Sequence, residues 1–302
     1  MKKLFYVAAV IAVSLLCYAC SQDQEPVQSN GQSEEQQLAF DNLYADIALL
    51  NAQFGVDNAS ISRGGGRRRF WSIFGADLLG GILGCRVNLF FGFYWGVFSS
   101  ITAVVATEPE IEDQYRYRPA RTTASYVSAN TENATLGLLD SLGYYHNQVI
   151  CDLYDQYGDA LFTLDELTRE TVVLEAIQPY IGENTSSYAN IAVTEKYNLN
   201  QLVLNMNSEN LDETFQAAIA MAPTISNELN IVKNYCETLQ YFESDQDLIH
   251  YSIAHDNLVR ASDIDADAQE LILAGTAIGG NSAIMWEKEP IVPGLEIGDE
   301  LP

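Results

Sequence analysis

The sequence predicts an all-α protein, an irregular helical bundle with a glycine-rich helix or helical hairpin buried inside it. Apolar residues recur at spacings of three and four in one segment after another, and the period-two alternation of strands is nearly absent. The segments are separated by Gly, Asn, Ser, Pro and Asp, which punctuate helices. The stretch from Phe70 to Thr107 sets Ala76, Gly80, Gly84, Asn88, Gly92, Gly96 and Ser100 in one file at a spacing of four, the row that runs along one side of a helix.

At the start, Lys2 and Lys3 precede an apolar run from Leu4 to Leu16 and then Cys17-Tyr18-Ala19-Cys20, the layout of a secretory leader over residues 1–19. Its end resembles a lipobox. The resemblance implies that Cys20 is diacylated and becomes the mature N-terminus, giving a lipoprotein held on a membrane by two or three acyl chains. The alternative is ordinary cleavage after Ala19 with no lipid. By the same resemblance to Gram-negative lipoproteins, Ser21 favours the outer membrane, and Asp23 with Glu25 looks like the acidic patch that directs some of them to the cell surface. Residues 20–37, rich in Gln, Ser, Glu and Asp, are expected to be a disordered tether.

Residues 34 to 54 carry Leu38, Phe40, Leu43, Tyr44, Ile47, Leu50 and Phe54 at helical spacing behind two glutamates, an amphipathic helix that needs a partner face. A loop through Gly64-Gly65-Gly66 and the basic run Arg67-Arg68-Arg69 then leads into the glycine-rich stretch, and 38–121 reads as one region. A glycine inside a helix costs about 1 kcal/mol against alanine. Close approach of another backbone is the usual compensation, so Gly80, Gly84, Asn88, Gly92 and Gly96 are the expected helix-packing residues.

That stretch admits three readings: a helix pair in the core of a helical protein, a membrane-inserting or pore-forming segment, and an interfacial or self-associating surface. Val87 to Thr107 is uncharged for 21 residues, long enough to span a bilayer. An exported N-terminus, however, would put Arg67, Arg68, Arg69 and Arg86 outside and Glu108, Glu110, Glu112 and Asp113 inside, against the positive-inside rule. One straight helix over the whole stretch would reach about 57 Å, so a break near Arg86 to Asn88 is expected. The glycine file resembles the glycine-zipper outer-membrane lipoproteins, which implies insertion of two such helices and, with it, a membrane-active protein such as an antagonistic toxin. Asp77, Arg86 and the many aromatics depart from that family's pattern.

Residues 108 to 130 read as a polar loop whose Arg116, Arg118 and Arg121 pair with the acidic half of the chain. The body, residues 122–286, is expected to hold helices from Thr135 to Tyr157, from Thr163 to Ile181 with Thr163-x-x-Glu166 as a capping box, and roughly over 187–196, 208–221, 226–242 and 245–260. Asp267 is the expected N-cap of a further helix over 269–276, stopped by Gly279-Gly280. Trp286 packs back on the core, and residues 287–302 form a flexible acidic tail. Gly143-x-x-His146-Asn147 together with Ser282-x-x-x-Trp286 resembles a group of exported helical bacterial proteins of unknown function; the resemblance implies a helical fold and no catalytic role.

The net charge of −26 becomes −28 once Lys2 and Lys3 leave with the leader, which argues against nucleic acid as a partner. The expected partners are the membrane, through the N-terminal lipid, and a protein partner or a second copy. Once Cys20 is acylated, Cys85, Cys151 and Cys236 remain, three small apolar thiols unless Cys151 pairs with Cys236. His146 and Asn147 are the candidate functional residues, for orienting a base or holding a metal with an acid such as Asp152. The core role, a histidine bridging helices, stands beside that reading. His250 and His255, five apart, do not share a helix face as zinc ligands. Asp263-Ile-Asp-Ala-Asp267 starts like a calcium loop but has Ala268 and Ala274 where glycine and glutamate are needed. No cofactor fingerprint or nucleophile elbow is present, so a binding or interaction module is expected rather than an enzyme.

Overall fold

A computed structural model describes residues 33–56, 68–106, 115–119, 134–181, 201, 211–242 and 244–290. The chain divides into two compact units, Met1–Gln37 and Leu38–Pro302. The protein is all-α. Among the described residues the helices are α1 (Glu34–Gln53), α2 (Arg68–Cys85), α3 (Leu89–Ala106), α4 (Ala134–Tyr157), α5 (Ala160–Thr163), α6 (Glu166–Ile181), α7 (Leu211–Met221), α8 (Ser226–Leu239), α9 (Asp245–Ala261) and α10 (Ala266–Met285). A two-stranded antiparallel ribbon, β1 (Tyr115–Pro119) with β2 (Trp286–Pro290), completes them.

The glycine-rich stretch is a hairpin. The chain turns at Arg86-Val87-Asn88, where the Asn88 Oδ1 accepts from the Phe91 N–H at 2.8 Å and so caps α3. The two helices pack along their length, and α10 lies against α2. Every residue of Ile73–Cys85, of Phe90–Ala103 and of Ile272–Met285 is buried. A helix buried on all sides is apolar or small all round rather than amphipathic, and α10 meets that demand with Ala, Gly, Ile, Ser and Thr. Around this inner trio, α4 packs on α10 and α3, α6 on α3 and α4, and α8 and α9 on α10. On α3, Phe91, Tyr94, Trp95 and Phe98 stack in a run with ring centroids 5.4 to 6.1 Å apart.

The first helix docks through Phe40, Leu43, Ile47 and Leu50. The Tyr44 hydroxyl donates to the Asn227 carbonyl at 2.9 Å, and Tyr251 donates to Asn51 at 2.7 Å, which ties α1 to α8 and α9. Leu38, expected on the buried face, is instead 60% exposed.

Several local expectations shift. Residues 115–119 and 286–290, read as loop and as the start of a loose tail, pair as strands with Arg116 opposite Glu289 and Arg118 opposite Glu287. The Arg118 guanidinium reaches Asp159, its Nη2 donating to Oδ2 at 3.1 Å, as expected of an arginine paired with the acidic half. The sixth helix starts at Glu166, and its cap is Asp165, not Thr163: the Asp165 Oδ1 accepts from the Thr168 N–H at 3.0 Å. Likewise Asp265, not Asp267, caps α10 by accepting from Ala268 at 2.7 Å. That helix runs through Gly279-Gly280 to Met285 instead of stopping there. The expected helix over 187–196 and the remainder of the tail lie outside the described residues.

Candidate functional site

The glycines lie at the tightest contacts of the inner trio. A Cβ on Gly80 would sit 2.6 Å from the Trp95 carbonyl oxygen, and one on Gly84 2.6 Å from the Gly92 Cα, so α2 and α3 touch backbone to backbone. Gly92 faces back onto Cys85 and the Gly81 carbonyl, at 2.9 Å. Gly96 looks elsewhere, to Ile278 of α10 and to the His146 ring at 3.4 Å. Asn88 lies in the turn, as a cap rather than in a helix crossing. Three further glycines outside the file complete the packing: Gly279 meets Leu78, Gly81 meets Ile278, and Gly143 of α4 abuts the Ala277 carbonyl of α10.

Those close approaches bring buried polar groups onto α10. His146 is fully buried, and its Nδ1 lies 3.0 Å from the Asn147 Oδ1. Asn147 in turn donates its amide to the Asn281 carbonyl at 2.8 Å. Burial pushes the His146 pKa down to about 4, against small opposing contributions from Asn147 and the Gly96 carbonyl, so the ring is neutral at pH 7. At the next residue of α10, Ser282 donates to the Asp77 Oδ2. Asp77 is fully buried, and burial holds its pKa well above the carboxylate range, with the hydrogen bond from Ser282 drawing it partly back. On the other side of α10, Thr276 donates to Asp256 at 2.8 Å, beside a buried His255 that packs on the Tyr235 ring at 4.8 Å.

The two sequence signatures, Gly143-x-x-His146-Asn147 and Ser282-x-x-x-Trp286, therefore meet on one helix. Gly143 lets α4 approach α10, Asn147 fixes the register of that approach, and Ser282 donates to the one carboxyl of the hairpin. A buried polar group left without a partner costs about 1 to 3 kcal/mol, so alternative registers of α2 and α4 on α10 are penalised. In this arrangement the residues set which helix meets which. Asp152, considered as a helper of His146, lies on the surface, where Tyr180 donates to it at 3.1 Å. Among the described residues, no group of three or more His, Cys, Asp or Glu side chains is placed to hold a metal ion. Cys85, Cys151 and Cys236 are buried and free, and Cys20 lies outside the described residues.

The sequence singles out His146 and Asn147, with Gly143 in the same signature, but not Asp77 or Asn281; the signal for Asp77 is a lone carboxylate in an apolar stretch. On the surface, a groove between α1 and α8, lined by Tyr44, Asn51, Ala52, Val56 and Asn234, holds about 190 Å³, less than the roughly 300 Å³ at which small-molecule pockets begin. No family model, no curated protein and no solved structure matches this chain.

Proposed function

We propose that the protein is an exported lipoprotein, acylated at Cys20 and held at the outer membrane or cell surface, with a helical body that acts as a binding or interaction module. The observation behind this reading is the enclosure of the glycine-rich hairpin: its described residues Ile73–Cys85 and Phe90–Ala103 are all buried in the body. With the most apolar segment used as core, the fatty acids on Cys20 are left as the grip on lipid. Two further points support it. No helix among the described residues is long and apolar enough to cross a membrane. The acidic surface that follows from a net charge of −26 suits a soluble domain facing water.

A carbonate wash of membranes from cells expressing Cys20→Ala tests the reading. Release of the protein into the soluble fraction is the expected result. Retention would mean that the hairpin inserts, and would replace the module by a membrane-active protein.

A further inference from the structure

α1 has a second apolar face. Counting 100° per residue, Leu38, Ala45, Leu49 and Ala52 fall within one narrow arc on the side away from Phe40, Leu43, Ile47 and Leu50. All four are exposed, Leu38 at 60% and Leu49 at 62%, whereas single surface leucines elsewhere lie among polar neighbours. Glu34, one turn before Leu38, shares the arc at its start, Asn42 borders it, and Asp41 and Asp46 flank it. Nothing in the docking of α1 on α8 and α9 requires leucine at 38 or 49.

We infer that this face of α1 rests on the membrane to which Cys20 is anchored, so that the body lies on the bilayer through Leu38, Ala45, Leu49 and Ala52 instead of swinging free. The inference rests on the acylation proposed above. Leu38 follows Cys20 by 18 residues, a length of chain that reaches at most about 65 Å in any conformation. The face is therefore confined near lipid at high effective concentration, and a contact too weak to bind from solution becomes populated. The apolar arc is the geometry of a helix lying in the interfacial plane, and the carboxylates of Asp41 and Asp46 beside it restrict the contact to zwitterionic lipid, since anionic headgroups would repel them. A second copy fits less well. The arc is about 21 Å long and one helix face wide, roughly 200 Å², against about 800 Å² per partner in a stable dimer. Two such faces would also set Asp41 and Asp46 against the same residues of the partner.

The test uses the full mature, acylated chain in vesicles of phosphatidylcholine and phosphatidylethanolamine. An environment-sensitive dye is attached at Leu49→Cys or, in a separate sample, at Leu167→Cys on α6, which is 72% exposed and packs on α3 and α4. Cys85, Cys151 and Cys236 are buried, so labelling is confined to the new thiol. Spin-labelled lipid is expected to quench the dye at 49 several-fold more than the dye at 167, and Leu38→Gln with Ala45→Gln to abolish the difference. Equal quenching in a chain whose Cys20 is acylated by mass spectrometry would overturn this inference alone. A chain found without acyl groups would overturn the anchoring reading and this inference with it. Excimer emission between pyrene labels at 49 would identify a second copy as the occupant and overturn the membrane contact.

Discussion

Two glycines on neighbouring helices should respond to alanine with opposite signs, because one has room for a methyl group and the other does not. In Gly143→Ala the new Cβ would lie 2.0 Å from the Ala277 carbonyl oxygen and 2.4 Å from the Asn281 amide nitrogen, where ordinary contact begins near 3.4 Å. The nearer obstacle is backbone of a fully buried helix and cannot rotate away, so α4 and α10 must separate by about 1 Å. Overpacking of this kind costs about 1 to 3 kcal/mol. The Asn147 hydrogen bond to Asn281, at 2.8 Å, stretches with it and loses about 1 kcal/mol more. Against this stands a gain of about 1 kcal/mol in helix propensity, leaving a net loss of about 2 kcal/mol. In Gly275→Ala the nearest atoms are Ile82 Cβ, the Leu78 carbonyl and Val232, at 3.4 to 3.5 Å, and the same propensity gain stands unopposed. The two variants should differ by about 3 kcal/mol, or roughly 6 to 12 °C in melting temperature for a domain of this size. Thermal and urea unfolding followed by circular dichroism, on the non-acylated Cys20→Ala chain, would measure it. A Gly143→Ala protein as stable as Gly275→Ala would show that α4 and α10 are not in backbone contact, and the argument for the buried site would fail with it.

Acid should weaken the fold through His146. Its pKa is near 4 in the folded state and 6.5 ordinarily, so the stability linked to the neutral ring is complete above pH 6.5 and is lost as pH falls toward 4, about 3 kcal/mol in all. Asp77 has the opposite slope, since a raised carboxyl pKa gives stability that is present at low pH and lost as pH rises. His146→Gln should therefore flatten or reverse the acid loss in urea midpoints between pH 4.5 and 7.5, and Asp77→Asn should raise stability at pH 7 and steepen that loss; an unchanged profile in both would contradict the burial of these groups. A thiol count provides a further check: the folded acylated chain should be inert to a thiol reagent and yield three thiols on denaturation, from Cys85, Cys151 and Cys236. A fourth would mean that Cys20 is unmodified.

The helices were legible because burial of one face imprints a period on the sequence, and the hairpin was legible because glycines at a spacing of four have little other use inside a helix. Features fixed by distant partners were not. Gly279-Gly280 reads as a helix stop, yet Leu78 of α2 packs onto Gly279 and the helix continues past it, tertiary contact overriding local preference. Asp165 and Asp265 displace Thr163 and Asp267 as caps because several polar residues within a few positions can each cap a helix start, every one accepting a different N–H, and only the backbone path chooses between them. The β1–β2 pairing was hidden because the Tyr-Arg alternation of Tyr115–Arg118 lasts only four residues before Pro119, and its partner Trp286–Pro290 does not alternate. At the site, the bond between Asp77 and Ser282 spans 205 residues, and Leu38 was assigned to the wrong face because α1 is apolar on two sides.

The position of α10 has a consequence for biogenesis. It is the last helix of the described chain, and it fills the centre of the molecule against α2, α4, α8 and α9. A polypeptide emerges amino end first, so Phe74, Leu78 and Ile82 of the hairpin are synthesised, and on the proposed route exported, long before Gly275 and Gly279 of α10 arrive to pack against them. Vectorial folding from the amino end is closed to this chain. The hairpin stays uncovered until residue 285 is free, which places its greatest exposure to proteases and to aggregation in the interval before α10 is delivered.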